Sequence, residues 1–210
     1  NKFTDPTVCY PIILITENSM IFDGQKIILA SQSPRRKQLL EQIGIVPVCM
    51  PVDIDESVYL NEMPLEYCNR LALQKAQSGW LLSEKNLPVL GSDTVVVYDD
   101  KILGKPENKQ HAIEMLSNLS GRRHQVITAV AVVFAEKQLT EYSISEVQFD
   151  HIKADEIKAY VESGEPMDKA GSYGIQGHAA LWIKKITGSH SGIMGLPLFE
   201  TGKILRSFYE

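Results

Sequence analysis

The segment Ile27-Ile28-Leu29-Ala30-Ser31-Gln32-Ser33-Pro34-Arg35-Arg36-Lys37-Gln38-Leu39-Leu40-Glu41-Gln42-Ile43-Gly44 decides the fold class. Its first four residues are a short apolar run, the pattern of a buried strand. Ser31-Gln32-Ser33 supplies a polar turn. Ser33 is a preferred N-cap and Pro34 suits the first helical position, while Leu39, Leu40 and Ile43 give the helix that follows an apolar stripe. Gly44 is placed to end that helix. A strand passing through hydroxyls into a helix start aims free backbone N–H groups and the positive end of the helix dipole at one point, where an anion is favoured. Arg35 and Arg36 stand in that first turn, where cations oppose the dipole. Two guanidinium forks on an anion-ready turn point to phosphate, against the simpler reading of two solvated surface arginines.

Working outward, Val46 to Met50 reads as a second strand, followed by the acidic loop Pro51 to Glu56. Pro64 to Ser83 reads as a long amphipathic helix with Leu65, Cys68, Leu71, Ala72, Ala76 and Gly79 on one side. At roughly 100° per residue Lys75 falls about 20° from Cys68, within the apolar stripe. It is either a lysine snorkelling at the stripe's edge or an ammonium held over a cleft for an anion. Pro88 to Tyr98 reads as a strand interrupted at Gly91-Ser92-Asp93-Thr94, with Asp99-Asp100 turning into Ile102-Leu103. Asp93 breaks a strongly apolar run, which is costly unless the carboxylate is paired, hydrogen-bonded or bound to metal.

Gly104-Lys105-Pro106 is not a Walker A motif, because the upstream glycine spacing and the following Ser/Thr are missing. Asn108 is expected to cap a helix to Leu119. Strands are expected over Gln125 to Ala135, Glu141 to Phe149 and Ala179 to Ile186, and helices over Asp155 to Ser163 and Leu198 to Phe208. Gly164 to Gly177, which includes Lys169 and Gln176, is glycine-rich and loop-like, as is Thr187 to Gly195.

The chain has 210 residues, 44% hydrophobic and 22% charged, with a net charge of −5. It suits one large domain or two closely joined lobes. The acidic balance argues against a general nucleic-acid binder, which would show a basic face. Cys9, Cys49 and Cys68 form neither a disulfide framework nor a zinc pattern, so reduced thiols and a cytoplasmic setting are expected. No apolar run reaches membrane-spanning length, and residues 1–25 read as an appendage to a domain over 26–210. His111, His124, His151, His178 and His190 show no metal-ligand spacing, and no Ser-His-Asp order stands out. Several carboxylates (Asp53, Asp55, Glu56, Asp93) with several cations suit a divalent metal and phosphate together, which points to metal-assisted cleavage of a phosphate ester or anhydride.

The phrases LASQSPRR, GSDTVVV, LGKP, DKAGSYGIQG and MGLPL, in this order from Lys26 onward, resemble the Maf family of nucleoside triphosphate pyrophosphatases, historically called septum formation proteins. The resemblance implies an α/β fold, a mixed twisted sheet with flanking helices, and two lobes around a deep nucleotide cleft (Maf/ITPase-like), often as a homodimer. It implies hydrolysis of a nucleoside triphosphate to the monophosphate and pyrophosphate with a divalent cation, Mg²⁺ or Mn²⁺, and no nucleic-acid or membrane partner. By the same resemblance Asp93 matches the proton acceptor, and Ser31, Ser33 and Arg36 fall in the phosphate-binding turn. Glu56, Lys75 and Lys105 fall on polar cleft positions, with Glu56 and Asp93 as metal ligands. Arg35, Thr94 and Gln176 match the dTTP/UTP type, where the 7-methyl-GTP type carries Trp, Gln and Glu. A 7-methyl-GTP or modified-nucleotide pyrophosphatase is the alternative among enzymes, and a non-catalytic nucleotide-binding regulator of septum formation is the alternative from another class. The run Ser191-Gly192-Ile193-Met194 departs from the family's usual Val-Val at this loop but keeps its apolar character.

Overall fold

A computed structural model describes residues 22–209 of the chain. Seven strands form one mixed sheet: β1 (Lys26–Leu29), β2 (Val46–Cys49), β3 (Val89–Tyr98), β4 (Lys101–Leu103), β5 (Arg123–Phe134), β6 (Lys137–Phe149) and β7 (Ile183–Thr187). The order is β2-β1-β3-β5-β6-β7, with β4 added to β3. β1 runs parallel to β2 and β3, whereas β3, β5, β6 and β7 pair antiparallel. The helices are α1 (Pro34–Gln42), α2 (Pro64–Leu82), α3 (Lys109–Leu119), α4 (Ala154–Glu162), α5 (His190–Met194) and α6 (Leu198–Tyr209).

Strand alternation sorts the central residues onto two faces. Val95 and Val97 of β3 join Ile127, Ala129, Ala131 and Val133 of β5 beneath Tyr67, Cys68, Leu71, Ala72 and Ala76 of α2. On the opposite face the apolar surface divides in two. Leu90, Val130, Val132 and Phe134 pack with α1 and α6 through Leu39, Leu40, Ile204, Leu205 and Phe208. Val96, Val126, Val147 and Phe149 pack with α3 and α4 through Leu116, Leu119, Ile157, Tyr160 and Val161.

Between those two clusters runs a polar seam across three strands: Ser92 and Thr94, then Thr128, then Ser143 and Ser145. The Ser189–Gly195 segment docks on it through its own backbone. Ser92 Oγ donates to Gly195 O at 3.0 Å, Thr128 Oγ1 to Gly192 O at 2.7 Å and Ser145 Oγ to Ser189 O at 3.2 Å. Ile193 then packs on the α3–α4 cluster and Met194 on the α1–α6 cluster. The departure at residues 191–194 therefore keeps an apolar residue for each lobe.

Several local expectations change. β3 is continuous through Gly91-Ser92-Asp93-Thr94, because β5 pairs with it residue by residue from Val89 to Val97. β6 begins four residues earlier than the alternation suggests, since the β5–β6 pairing extends out to Phe134 and Lys137. Residues His178–Trp182 form a tight helical turn before β7, burying Ala179 and Trp182 three positions apart while Leu181 faces solvent. The 187–195 loop contains α5. Phe22, within the stretch read as an appendage, is buried among Ile27, Leu39 and Phe208, and residues 1–21 of that stretch lie outside the described residues.

Candidate active site

The site follows from how the edges of β3 are filled. β5 occupies one edge along its whole paired length. On the other, β1 reaches only Leu90, where Ala30 N donates to Leu90 O at 2.8 Å, and β4 begins at Val96. Among the described residues, 91–95 thus have no strand partner on that side. The chain leaves β1 there through Ser31–Ser33 into α1. A cleft of about 990 Å³ surrounds this open edge and reaches both faces of the sheet. Where neighbouring connections leave a sheet in different directions, such a crevice is the expected place for a ligand.

On the α2 face stands the acid–base group. α2 lies hard against β3 at Gly91, where a Cβ would come within 2.5 Å of Ala76 N. This close approach brings Lys75, on the next turn, over Asp93. The Lys75 Nζ lies 2.7 Å from Asp93 Oδ1 and 2.7 Å from Glu56 Oε1, so one ammonium bridges both carboxylates. Asp93 is 8% exposed. Its burial holds the carboxyl above the ordinary carboxylate range, against the opposing pull of Lys75 and Arg36. Partial burial pushes Glu56 the same way, but the hydrogen bond and charge of Lys75, with Lys105 and Arg36, leave it below its ordinary value. Two carboxylates on one cation therefore differ in basicity. Tyr67 donates to Glu56 O at 2.9 Å, which ties the acidic loop to α2.

On the other face stands the phosphate-type turn. Ser33 is the N-cap residue of α1, yet its side chain caps nothing, and Ser31 Oγ instead accepts from Ser33 N at 3.1 Å. Arg36 donates through Nε to Gly195 O at 2.8 Å, through Nη1 to Ser31 Oγ at 3.2 Å and through Nη2 to Thr94 Oγ1 at 3.3 Å. Thr94 Oγ1 in turn lies 3.0 Å from Thr128 Oγ1, which accepts its proton because the Thr128 hydroxyl's own goes to Gly192 O. Arg36 thus ties the turn to the seam and has two N–H groups left over for a ligand.

The cleft wall carries five cations, Arg35, Arg36, Lys75, Lys105 and Lys169, against Glu56, Asp93 and Asp168. A local positive excess on a chain of net charge −5 is an anion trap. Lys169 is steadied by Asp168 at 2.6 Å and by Glu165 O. The cleft therefore brings together Ser31, Ser33, Arg35, Arg36, Glu56, Lys75, Asp93, Thr94 and Lys105. Gln176 is exposed and does not line it, although Gly174 and Ile175 do. The described residues hold no group of three His, Cys, Asp or Glu side chains suited to a metal. A second hollow of about 640 Å³, lined by Glu156, Tyr160, Glu165, Leu181 and Trp182 among others, has no lysine or arginine in its wall among the described residues.

Sequence reasoning missed the seam hydroxyls and one buried pair. His124 Nε2 lies 2.6 Å from the Tyr173 hydroxyl, with both rings edge-on to Phe149. Tyr173 also borders the cleft, so this pair fixes the wall that carries Gly174 and Ile175.

Residues 26–208 match the family model described as Maf-like protein. The chain belongs to the Maf family. It is 51% identical over 183 residues to a dTTP/UTP pyrophosphatase of Methylobacillus flagellatus, covering 87% of this chain and 92% of that protein. It is 48% identical over 183 residues to a dTTP/UTP pyrophosphatase of Vibrio parahaemolyticus, covering 87% and 96% respectively. Among solved structures it is similar to a nucleoside-triphosphatase / dITP/XTP pyrophosphatase from Mycobacterium abscessus at 19% identity, over 61% of this chain and 76% of that one. The TM-score there is 0.41. The matched Maf region contains every residue of the Glu56–Lys75–Asp93 bridge and of the Ser31–Arg36 turn.

Proposed function

We propose that this Maf chain hydrolyses nucleoside triphosphates, dTTP and UTP above others, to the monophosphate and pyrophosphate. The observation that carries the reading is the Glu56–Lys75–Asp93 bridge on the open edge of β3, opposite a turn and wall supplying Arg35, Arg36, Lys105 and Lys169. The relatives named as dTTP/UTP pyrophosphatases support the choice of substrate.

In this reading Asp93 accepts a proton from the water that attacks the α-phosphorus. The new O–P bond forms as the α–β anhydride bond breaks, and pyrophosphate departs with the electron pair. A buried carboxylate whose proton affinity is raised is the better base of the two. Arg36, Lys75 and Lys105 counter the charge that grows on the phosphate oxygens, and the hydroxyls of Ser31 and Ser33 orient them. Arg35 and Thr94 line the cleft, and Gln176, next in sequence to the lining residue Ile175, offers an amide of the kind that pairs with the O4/N3 edge of thymine or uracil.

Glu56 and Asp93 fit a divalent cation of the Mg²⁺ or Mn²⁺ kind. Their oxygens are hard ligands and already share one cationic atom. Such an ion takes one or two carboxylates and completes its shell with phosphate oxygens and water. When bound it would neutralise phosphate charge and polarise the scissile centre. We place the activity in the cytoplasm, where the exposed Cys49 thiol stays reduced.

The test is a panel of dTTP, UTP, CTP and 7-methyl-GTP with Mg²⁺ or Mn²⁺, reading released pyrophosphate. The reading expects dTTP and UTP to lead. Preference for 7-methyl-GTP would refute the base assignment, and tight triphosphate binding without turnover would leave a regulator.

A further inference from the structure

The cation that joins Glu56 to Asp93 in this structure belongs to the protein itself. Both carboxylate oxygens sit 2.7 Å from Lys75 Nζ, so those oxygens lie within twice that distance of each other. A divalent ion with oxygen ligands at about 2.0–2.6 Å needs much the same span. An ammonium and a divalent metal therefore compete for one pair of oxygens.

The competition is built to favour the ammonium when the cleft holds no nucleotide. The Lys75 side chain is 12% exposed and Asp93 is 11% exposed at its side chain, so neither is paired with bulk water in place of the other. α2 cannot drift off, because Ala72 and Ala76 rest on Gly91 of the same strand that carries Asp93. Leaving Asp93 without its ammonium would strand a buried carboxylate, which is strongly unfavourable. The balance changes when a polyanion enters. The cleft that Lys75 lines also holds Arg35, Arg36 and Lys105, and a triphosphate tail there presents the ammonium with a second set of oxygens.

We propose that Lys75 acts as a built-in cation that closes the Glu56–Asp93 pair to free divalent metal, so that metal enters with the nucleotide rather than ahead of it. This rests on the proposed pyrophosphatase reading. The coupling is reciprocal: whatever factor the nucleotide adds to metal affinity, the metal adds to nucleotide affinity. A nucleotide that cannot draw Lys75 away would leave the metal position closed, which makes Lys75 a gate on both ligands.

The experiment measures Mn²⁺ binding to the full chain without nucleotide, by the loss of the free-ion electron paramagnetic resonance signal. Wild-type protein should bind weakly. Lys75→Gln, and in parallel Lys75→Met, should bind at least about tenfold more tightly, since a unit positive charge has left a site of two carboxylates. Lys75→Arg keeps the charge and should remain weak. Lys75→Gln combined with Glu56→Gln should lose the gain, locating it at this pair. Adding a non-hydrolysable α,β-methylene triphosphate should raise Mn²⁺ affinity in the wild type more than in Lys75→Gln. Wild-type protein that binds free Mn²⁺ as tightly as Lys75→Gln overturns the proposal, and so does equal enhancement by the analogue in both proteins. Pyrophosphate release by the wild type is scored separately: its absence defeats the pyrophosphatase reading while leaving the binding comparison intact.

Discussion

Gly91→Ala tests the central geometric claim, that the closeness of α2 to β3 is what brings Lys75 to Asp93. A Cβ at position 91 would meet backbone rather than pliable side chain: Ala76 N at 2.5 Å, Ala76 Cα at 3.1 Å, and the Ala72 carbonyl oxygen closer still. No rotamer change relieves a clash with backbone, so α2 must lift or slide by roughly 0.5–1 Å to restore normal contact distances. Overpacking of this kind costs about 1–3 kcal/mol. In a domain of this size each kcal/mol lowers the melting temperature by about 2–4 °C, so the expected fall is roughly 2–12 °C. The same displacement lengthens the Lys75–Asp93 contact from its present 2.7 Å. A shift near 1 Å in a catalytic constellation can remove up to about 10²-fold in rate, so turnover should fall further than stability alone explains. Gly202→Ala is the control. Its Cβ would meet nothing nearer than Arg206 Nη1 at 3.7 Å, and Ala in a helix interior should raise the melting temperature slightly. Thermal melts and initial rates of pyrophosphate release on the two variants decide the matter. If Gly91→Ala melts within about 1 °C of wild type and turns over normally, the clamp argument is wrong.

Asp93→Asn keeps the shape and removes the base; pyrophosphate release should fall by about 10²–10⁴-fold. Because the ionised carboxylate is disfavoured by burial, its melting temperature at pH 8 should stay within about 3 °C of wild type. His124, pushed down to about 4 by burial from an ordinary 6.5, is neutral in the fold. The unfolded chain takes up its proton first, so stability is full above 6.5 and is lost as pH falls towards 4, by about 3 kcal/mol at most. Denaturant midpoints of wild type and His124→Gln measured from pH 7 to pH 4 should therefore converge, and parallel curves would contradict this. Cys68 is fully buried, with its thiol pushed up to about 12, while Cys49 is exposed. Brief alkylation of native protein followed by peptide mapping should mark Cys49 and spare Cys68 until unfolding.

The parts of the site that the sequence reveals are those where a polar group offends a local rule. Lys75 falls in an apolar helical stripe and Asp93 in an apolar strand, and the structure brings these two anomalies together at 2.7 Å. Arg35 and Arg36 stand against a helix dipole at a turn of hydroxyls, and both border the cleft. Each costs free energy locally, so each marks a place where tertiary structure supplies a compensation. The interruption expected in β3 has the opposite cause. Gly-Ser-Asp-Thr has poor strand propensity, but propensity yields to a full ladder on β5 and to the close packing of α2 on Gly91.

The seam was hidden because it breaks no local rule. Ser92, Thr128 and Ser145 alternate along strands as any small polar residue can, and their partners are carbonyls of Ser189–Gly195, which every sequence possesses. Backbone acceptors leave no trace in residue identity. Yet this is where the two halves of the cleft are tied to each other. Ser92 Oγ and Arg36 Nε both donate to Gly195 O, at 3.0 and 2.8 Å, so the phosphate-type turn near residue 31 and the C-terminal segment meet on one oxygen. Gly195 reaches that position at φ +116°, where a side chain would be strained. Arg36 then has a structural duty beside any contact with phosphate. Replacing it would loosen the Ser31 turn and the 189–195 segment together, whereas Arg35, whose guanidinium has no such ties to the seam, remains the freer of the two to meet a ligand.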